Sequence, residues 1–222
     1  PVDISNSPNV FEFVNKIGCT LYVPHGSKTA YQAADLWKDF QNIVEMEPSY
    51  EMPLQVEAGG LAALIPQSVR DTITYLALTG TIDARDFKTM RDDMPLLAEI
   101  DLSGASIVAY SGTEGTSLYG EENYPPDAIP AMAFVNSSWQ GKHSLKSIIF
   151  PVATKIISNS AFFDCRGLTM VSLPHGLQKI DGQAFVYCRG LENINIPSTV
   201  TSIGTWAFGS CTSLTNITIP AS

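Results

Sequence analysis

Cysteine and histidine are the residues here whose chemistry depends most on spacing. Cys165, Cys188 and Cys211 recur at a constant step of about 23 residues, while Cys19 stands apart near the start. Three aligned thiolates could hold a soft metal, but no Cys-x-x-Cys pair or nearby histidine accompanies them. Three in a column also cannot all pair as disulfides. Buried, free thiols acting as small hydrophobes are the expectation. His25, His143 and His175 are far apart, and no serine or cysteine sits in a Gly-x-Ser-x-Gly setting, so a catalytic triad is not expected. Gly112, Gly115 and Gly120 lack the strand-to-helix frame and Gly-Lys-Ser/Thr ending of a phosphate loop. Asp83, Asp86, Asp92 and Asp93 lack the alternate spacing of a calcium loop, which leaves helix capping and a solvated face. These residues predict no catalytic site, no cofactor and no metal.

The cysteine step governs every apolar position of the C-terminal third. Leu145, Leu168, Leu191 and Leu214 form one series, and Ile148, Val171, Ile194 and Ile217 a second. Pro151, Pro174, Pro197 and Pro220 follow each strand, and Ala161-Phe162, Ala184-Phe185 and Ala207-Phe208 complete the unit. Leu-x-x-Ile-x-Ile alternates as a short half-buried strand does, and the proline ends it because it cannot donate to a ladder. The segment from Ile203 to Cys211 reads as a short helical turn with its phenylalanine wedged between layers. One such unit cannot bury its own apolar face, whereas stacked units share a core. The fold class is α/β: a right-handed β-α superhelix of short parallel strands, a solenoid of about 23-residue repeats.

Upstream, Ile73-x-x-Leu76-x-Leu78 and Leu97-x-x-Ile100-x-Leu102 repeat the strand, and Phe87, Met90 and Met94 predict a true helix with Asp83 as N-cap. Gly60 to Ile65, stopped by Pro66, reads as a short helix capping the first repeat. An insertion runs from Ser103 to Ala128. The expected organisation is a closing segment over 1–47, a linker and cap over 48–72, and the repeat domain over 73–222 with the insertion at 103–128.

The pattern Leu-x-x-Ile-x-Ile-Pro followed by Ile-Gly-x-x-Ala-Phe-x-x-Cys-x-x-Leu, from about Leu145 to Pro220, closely resembles the BspA-type leucine-rich repeat. Cys19-Thr20-Leu21-Tyr22-Val23-Pro24, with Trp37 to Glu45, resembles the segment that often closes such blocks in gut bacterial surface proteins. Residues 73–134 look like the start of a new block. The resemblance implies a cell-surface or secreted protein, on the bacterial outer membrane exterior, used for adhesion or recognition without catalysis. A closing segment at the front, and a chain that stops just after a strand, look like an excerpt of a longer array. Residues 1–24 resemble the natural successor of Leu214 to Pro220, so head-to-tail self-association is a candidate contact, beside the alternative of an end shielded by further chain.

The net charge of −9, from 22 acidic and 13 basic residues, disfavours nucleic acid and anionic lipid as partners. No stretch is apolar enough to be a transmembrane segment. A hydrophobic share of 45% excludes disorder for most of the chain. Binding is expected on the concave strand face, at Tyr75 and Ala77, Glu99 and Asp101, Ser147 and Ile149, Met170 and Ser172, Asn193 and Asn195, and Asn216 and Thr218. The insertion, with Tyr110, Tyr119, Glu121, Glu122 and Tyr124, is the expected recognition element for a protein or glycan at a host or bacterial surface. A packed decoration is its alternative reading. A spacer or scaffold displaying other domains is the competing function.

Overall fold

The computed structural model describes residues 10–23, 27–45, 52–120 and 122–219, and divides into two compact units, 1–51 and 52–222. In the first, β1 (Thr20–Val23), α1 (Lys28–Ala33) and β2 (Asn42–Glu45) form a parallel crossover, with Thr20 opposite Asn42. Its core is Val23, Tyr31, Phe40 and Ile43, closed by Phe11, Leu21 and Trp37. Phe11 meets Trp37 and Phe40 edge-on at 5.0 and 5.1 Å, the geometry that aromatic quadrupoles favour.

The second unit opens with β3 (Leu54–Val56), a strand within the stretch expected to be linker and cap. The pair α2 (Leu61–Leu64) and α3 (Gln67–Arg70) follows. Then come β4 (Tyr75–Ile82), α4 (Ala84–Asp92) and β5 (Glu99–Ile107). Asp83 caps α4 as expected, in a full capping box with Asp86. Asp86 does more. Its buried carboxylate also accepts from Gly59 and Leu61 N–H, at 2.7 and 3.0 Å, and so fixes the entry to α2. Gly80 has φ +87°, and any Cβ there would strike the Val56 carbonyl, so glycine is required where β3 meets β4.

Beyond β6 (Tyr110–Gly112), β7 (Glu122–Tyr124) and β8 (Ala128–Ile129), the chain repeats one rung. Strands β9 (Ser147–Ile149), β11 (Met170–Ser172), β13 (Asn193–Asn195) and β15 (Asn216–Thr218) alternate with β10 (Ile156–Ile157), β12 (Lys179–Ile180) and β14 (Ser202–Ile203). Pairing is parallel, and Ser147, Met170 and Asn193 pair or begin their rungs at the same place, as Lys179 stands on Ile156 and Ser202 on Lys179. One parallel sheet runs β3-β4-β5-β9-β11, a second runs β8-β10-β12-β14, and β13-β15 form a separate pair.

The segment expected to be a helical turn is a run of hydrogen-bonded turns instead. Around Phe162 alternate N–H groups have different tasks. Those of Ala161, Phe163 and Cys165 close turns on Ser158, Ser160 and Phe162. Those of Ser160, Phe162 and Asp164 donate to Gly182, Ala184 and Val186 in the next rung, at 3.1, 2.8 and 2.7 Å. Left-handed φ values at Ser160 (54°), Gln183 (59°) and Trp206 (61°) turn the intervening groups sideways. A helix would consume these donors within itself; here they join the rungs.

Inside, Phe134, Phe162, Phe185 and Phe208 stack in sequence, with centroids 5.3, 5.1 and 5.3 Å apart. Phe134, Phe162 and Phe185 are fully buried, and Phe208 is half-buried. Cys188 and Cys211 donate their thiols to the carbonyls of Phe162 and Phe185, each at 3.1 Å.

Candidate binding surface

Because side chains alternate across a strand, the residues flanking each inward Leu or Ile point outward together. Parallel pairing then aligns them. Tyr75 pairs with Glu99, Glu99 with Ser147, and Ser147 with Met170; beside them run Ala77, Asp101, Ile149 and Ser172. Tyr75 is 45% exposed and Met170 68%. Glu99, Asn193, Asn195 and Asn216 are exposed, and Asp101 is half-buried. Ala77 departs from expectation: it is buried, with its N–H directed at the Met52 sulfur, because chain before β3 covers this point.

A cleft of about 160 Å³ opens there, lined by Met52, Tyr75, Thr79, Asp101, Ser103 and Gly104. It exists because the β4–β5 register slips between Ala77 and Thr79, and the Asp101 carboxylate accepts the Ser103 N–H at 2.8 Å across the bulge. The cleft thus joins an aromatic ring, a carboxylate and small residues. It offers hydrogen bonding and stacking, with no nucleophile paired to a base. On β13 and β15, the Asn216 amide donates to Asn193 at 2.7 Å, so part of that polar column satisfies itself.

The three tyrosines of the insertion separate. Tyr124, expected to bind ligand, is buried: its ring stacks on Tyr110 at 6.0 Å and its hydroxyl accepts from Ser117 N–H at 2.6 Å. Tyr110 is half-buried under the Arg85 guanidinium, 4.8 Å from its ring centre. Tyr119 alone is widely exposed, at 74%. The insertion is not a free loop, since β5 continues to Ile107 and β6 and β7 pair antiparallel. Arg91 ties it down by donating to the carbonyls of Thr116 and Met132, at 2.8 and 3.1 Å. Glu121 and His25 lie outside the described residues.

Burial pushes the Cys165 thiol up to about 12 and Cys211 to about 11, so both stay protonated at neutral pH. Among the described residues no group of three or more His, Cys, Asp or Glu side chains could hold a metal ion. His143 faces Asp164 at 3.0 Å, and Arg166 bonds the same carboxylate at 2.7 Å. Burial raises Asp164, but these two partners outweigh it and hold the carboxyl below its ordinary value. Among the described residues no helix is long and apolar enough to cross a membrane.

Sequence reasoning missed Trp139, Phe163 and Tyr187, whose rings form a row with Tyr119. A signal was present. The three recur at a step of 24 residues, one longer than the cysteine step.

No curated protein matches the chain. Among solved structures it is similar to a leucine-rich repeat protein from Bacteroides ovatus, at 25% identity and TM-score 0.42 over 78% of this chain and 35% of that one. It is also similar to a leucine rich cell surface protein from Faecalibacterium prausnitzii, at 21% identity and TM-score 0.38 over 66% of this chain and 54% of that one. A T. pallidum leucine rich repeat protein gives 22% identity and TM-score 0.36, over 55% and 58%. The chain therefore spans about a third to three fifths of the length of these proteins. The family described as BspA type leucine rich repeat region matches residues 132–222 in six copies. The stretch bearing the phenylalanine and cysteine columns, residues 132–222, belongs to the BspA-type leucine-rich repeat family.

Proposed function

We propose that the chain is a non-enzymatic recognition or adhesion module of a cell-surface or secreted bacterial protein. In this reading the rungs of about 23 residues continue as a right-handed solenoid, with residues 1–47 as a closing segment. A protein or glycan binds across the outward strand face. Leucine-rich repeat proteins are generally protein-interaction modules. The observation that carries the reading is the registered outward column from Tyr75 through Glu99 and Ser147 to Met170, which ends beside the Tyr75–Asp101 cleft.

The test is binding of the purified chain to immobilised extracellular-matrix proteins and to a glycan array. Tyr75→Ala with Asp101→Ala should weaken whatever binding is found by about tenfold. Binding unchanged in that pair, and in Met170→Ala, overturns the strand-face assignment. The spacer reading is favoured by the Asn216–Asn193 amide bond and the packed insertion, which consume groups a reader would offer; no binding on either array supports it. Head-to-tail association would place the β1 edge of one copy against exposed Ile217 and Ile219 of another. Light scattering over a concentration series tests it, and a strictly monomeric result rejects it. Pro220 and Pro24, part of the motif behind that contact, lie outside the described residues.

A further inference from the structure

The turn edge of the second unit carries a feature that the strand-face reading does not use. Tyr119 meets Trp139 at 6.4 Å, Trp139 meets Phe163 at 5.8 Å, and Phe163 meets Tyr187 at 5.5 Å, in one unbroken row from the insertion across successive rungs. Tyr119, Trp139 and Tyr187 are 74%, 43% and 36% exposed. The row is separate from the core, whose filling is supplied by the phenylalanine stack. Glycine at 209 then leaves room for the Trp206 indole, 66% exposed, which lies over it beside Val186.

Soluble proteins rarely leave contiguous aromatic surface in water unless something covers it. Tryptophan, tyrosine and arginine are also the side chains that concentrate binding energy at protein interfaces. These rings are fixed before any partner arrives, because they pack tilted or edge-to-face at 52°, 78° and 90°. Preorganisation lowers the entropy cost of docking. The same tilts argue against a sugar chain, since successive ring faces turn away from one another and make no continuous flat platform.

Charge identifies the rest of the partner. The Arg189 guanidinium lies over the Tyr187 ring at 5.8 Å, and among the described residues no carboxylate forms an ion pair with it. Its neighbour Arg166 is already held by Asp164, which also takes His143. On a chain of net charge −9, the end of the ridge therefore offers an uncompensated cation. We propose that Tyr119, Trp139, Phe163, Tyr187 and Arg189 form a second docking surface, for a protein segment that presents apolar side chains next to a carboxylate.

The experiment is selection from a random peptide display library on the full chain, followed by titration of the enriched peptides as synthetic material. Enriched peptides should combine aliphatic or aromatic residues with Asp or Glu. Trp139→Ala and Tyr187→Ala should each weaken them by about tenfold or more. Arg189→Glu, an exposed change that spares the fold, should reverse the preference toward peptides in which lysine replaces the acid. Tyr75→Ala should leave this binding intact, which separates the ridge from the strand face. The proposal is overturned if no peptide is enriched, or if enriched peptides ignore all three ridge variants. It is equally overturned if the variants abolish binding to a glycan, or dissolve a self-associated form of the chain, in place of peptide binding.

Discussion

The Cys188 thiol donates to the Phe162 carbonyl one rung back, at 3.1 Å, and Cys211 makes the same bond to Phe185. The repeated cysteine is therefore a donor placed where a carbonyl faces the interior. Lys142 occupies the corresponding place one step before Cys165 and donates with a longer arm, since its ammonium reaches the Met94 carbonyl at 2.5 Å. The Phe162 carbonyl keeps its bond from the Cys165 N–H, so removing the Cys188 thiol takes away one of its two donors. Cys188→Ala is expected to cost about 1 kcal/mol, and Cys188→Ser less because it keeps a hydroxyl donor. Urea unfolding compares the two; an alanine variant as stable as the parent removes the hydrogen bond from the account.

Phe185 lies between Phe162 and Phe208, stacked nearly parallel to both, at 2° and 3°. Phe185→Ala is expected to lose about 3 to 5 kcal/mol by opening a cavity between packed rungs. Phe208→Ala should lose clearly less, because its ring is only half-buried. Equal losses at the two positions would contradict the assigned burial gradient.

The phenylalanine and isoleucine columns were legible because one residue type recurs at one step, and only a shared core demands that. The turn geometry was not. An isoleucine and a phenylalanine five apart suit either a helical turn or successive β-turns, and the left-handed positions are Ser160, Gln183 and Trp206, with no glycine to mark them. Strand β3 is too short to show a period, so Ala77 was expected outside. Tyr124 looked like a loop aromatic because nothing in the sequence announces that Ser117 and Tyr110 enclose it. The outward residues Tyr75, Glu99, Met170, Asn193 and Asn195 followed from strand alternation alone, and they are exposed.

Asp86 accepts N–H groups from Gly59, Leu61 and Asp83, at 2.7, 3.0 and 2.9 Å, so one carboxylate organises both α2 and α4. Asp86→Ala leaves three donors unpaired, two buried and one half-buried, and is expected to cost about 3 kcal/mol. Hydrogen exchange should localise the loss to residues 57–62 and 83–90. Uniform loosening of the whole unit, with no local excess, would contradict this role.

Acid stability depends on Asp164. With its folded carboxyl held below the ordinary 3.8, it contributes stability above that pH, and the contribution is lost as pH falls through the depressed value. Arg166→Ala removes one of the two partners that depress it. The variant should begin to unfold at higher pH than the parent in an acid titration followed by circular dichroism. Coincident acid transitions would show that the pair contributes nothing.

Alkaline pH sets two buried groups against each other. Burial pushes the Lys142 ammonium down from 10.5 to about 8. Between those values the unfolded chain holds a proton that the folded chain has released, so stability rises with pH. The thiols act in the opposite sense. Burial raises Cys165 from 9.0 to about 12 and Cys211 to about 11, and lifts Cys188 well above its ordinary value. Above 9.0 the unfolded chain loses protons that the folded one keeps, and three thiols outweigh one lysine. Stability should therefore climb from about pH 8, peak near 9 and then fall. Lys142→Met should abolish the climb and leave the fall, whereas Cys165→Ala with Cys188→Ala should shallow the fall and leave the climb. Urea midpoints measured across this range read both limbs separately, and a profile that Lys142→Met leaves unchanged would show that the ammonium is not held in the buried site against Met94.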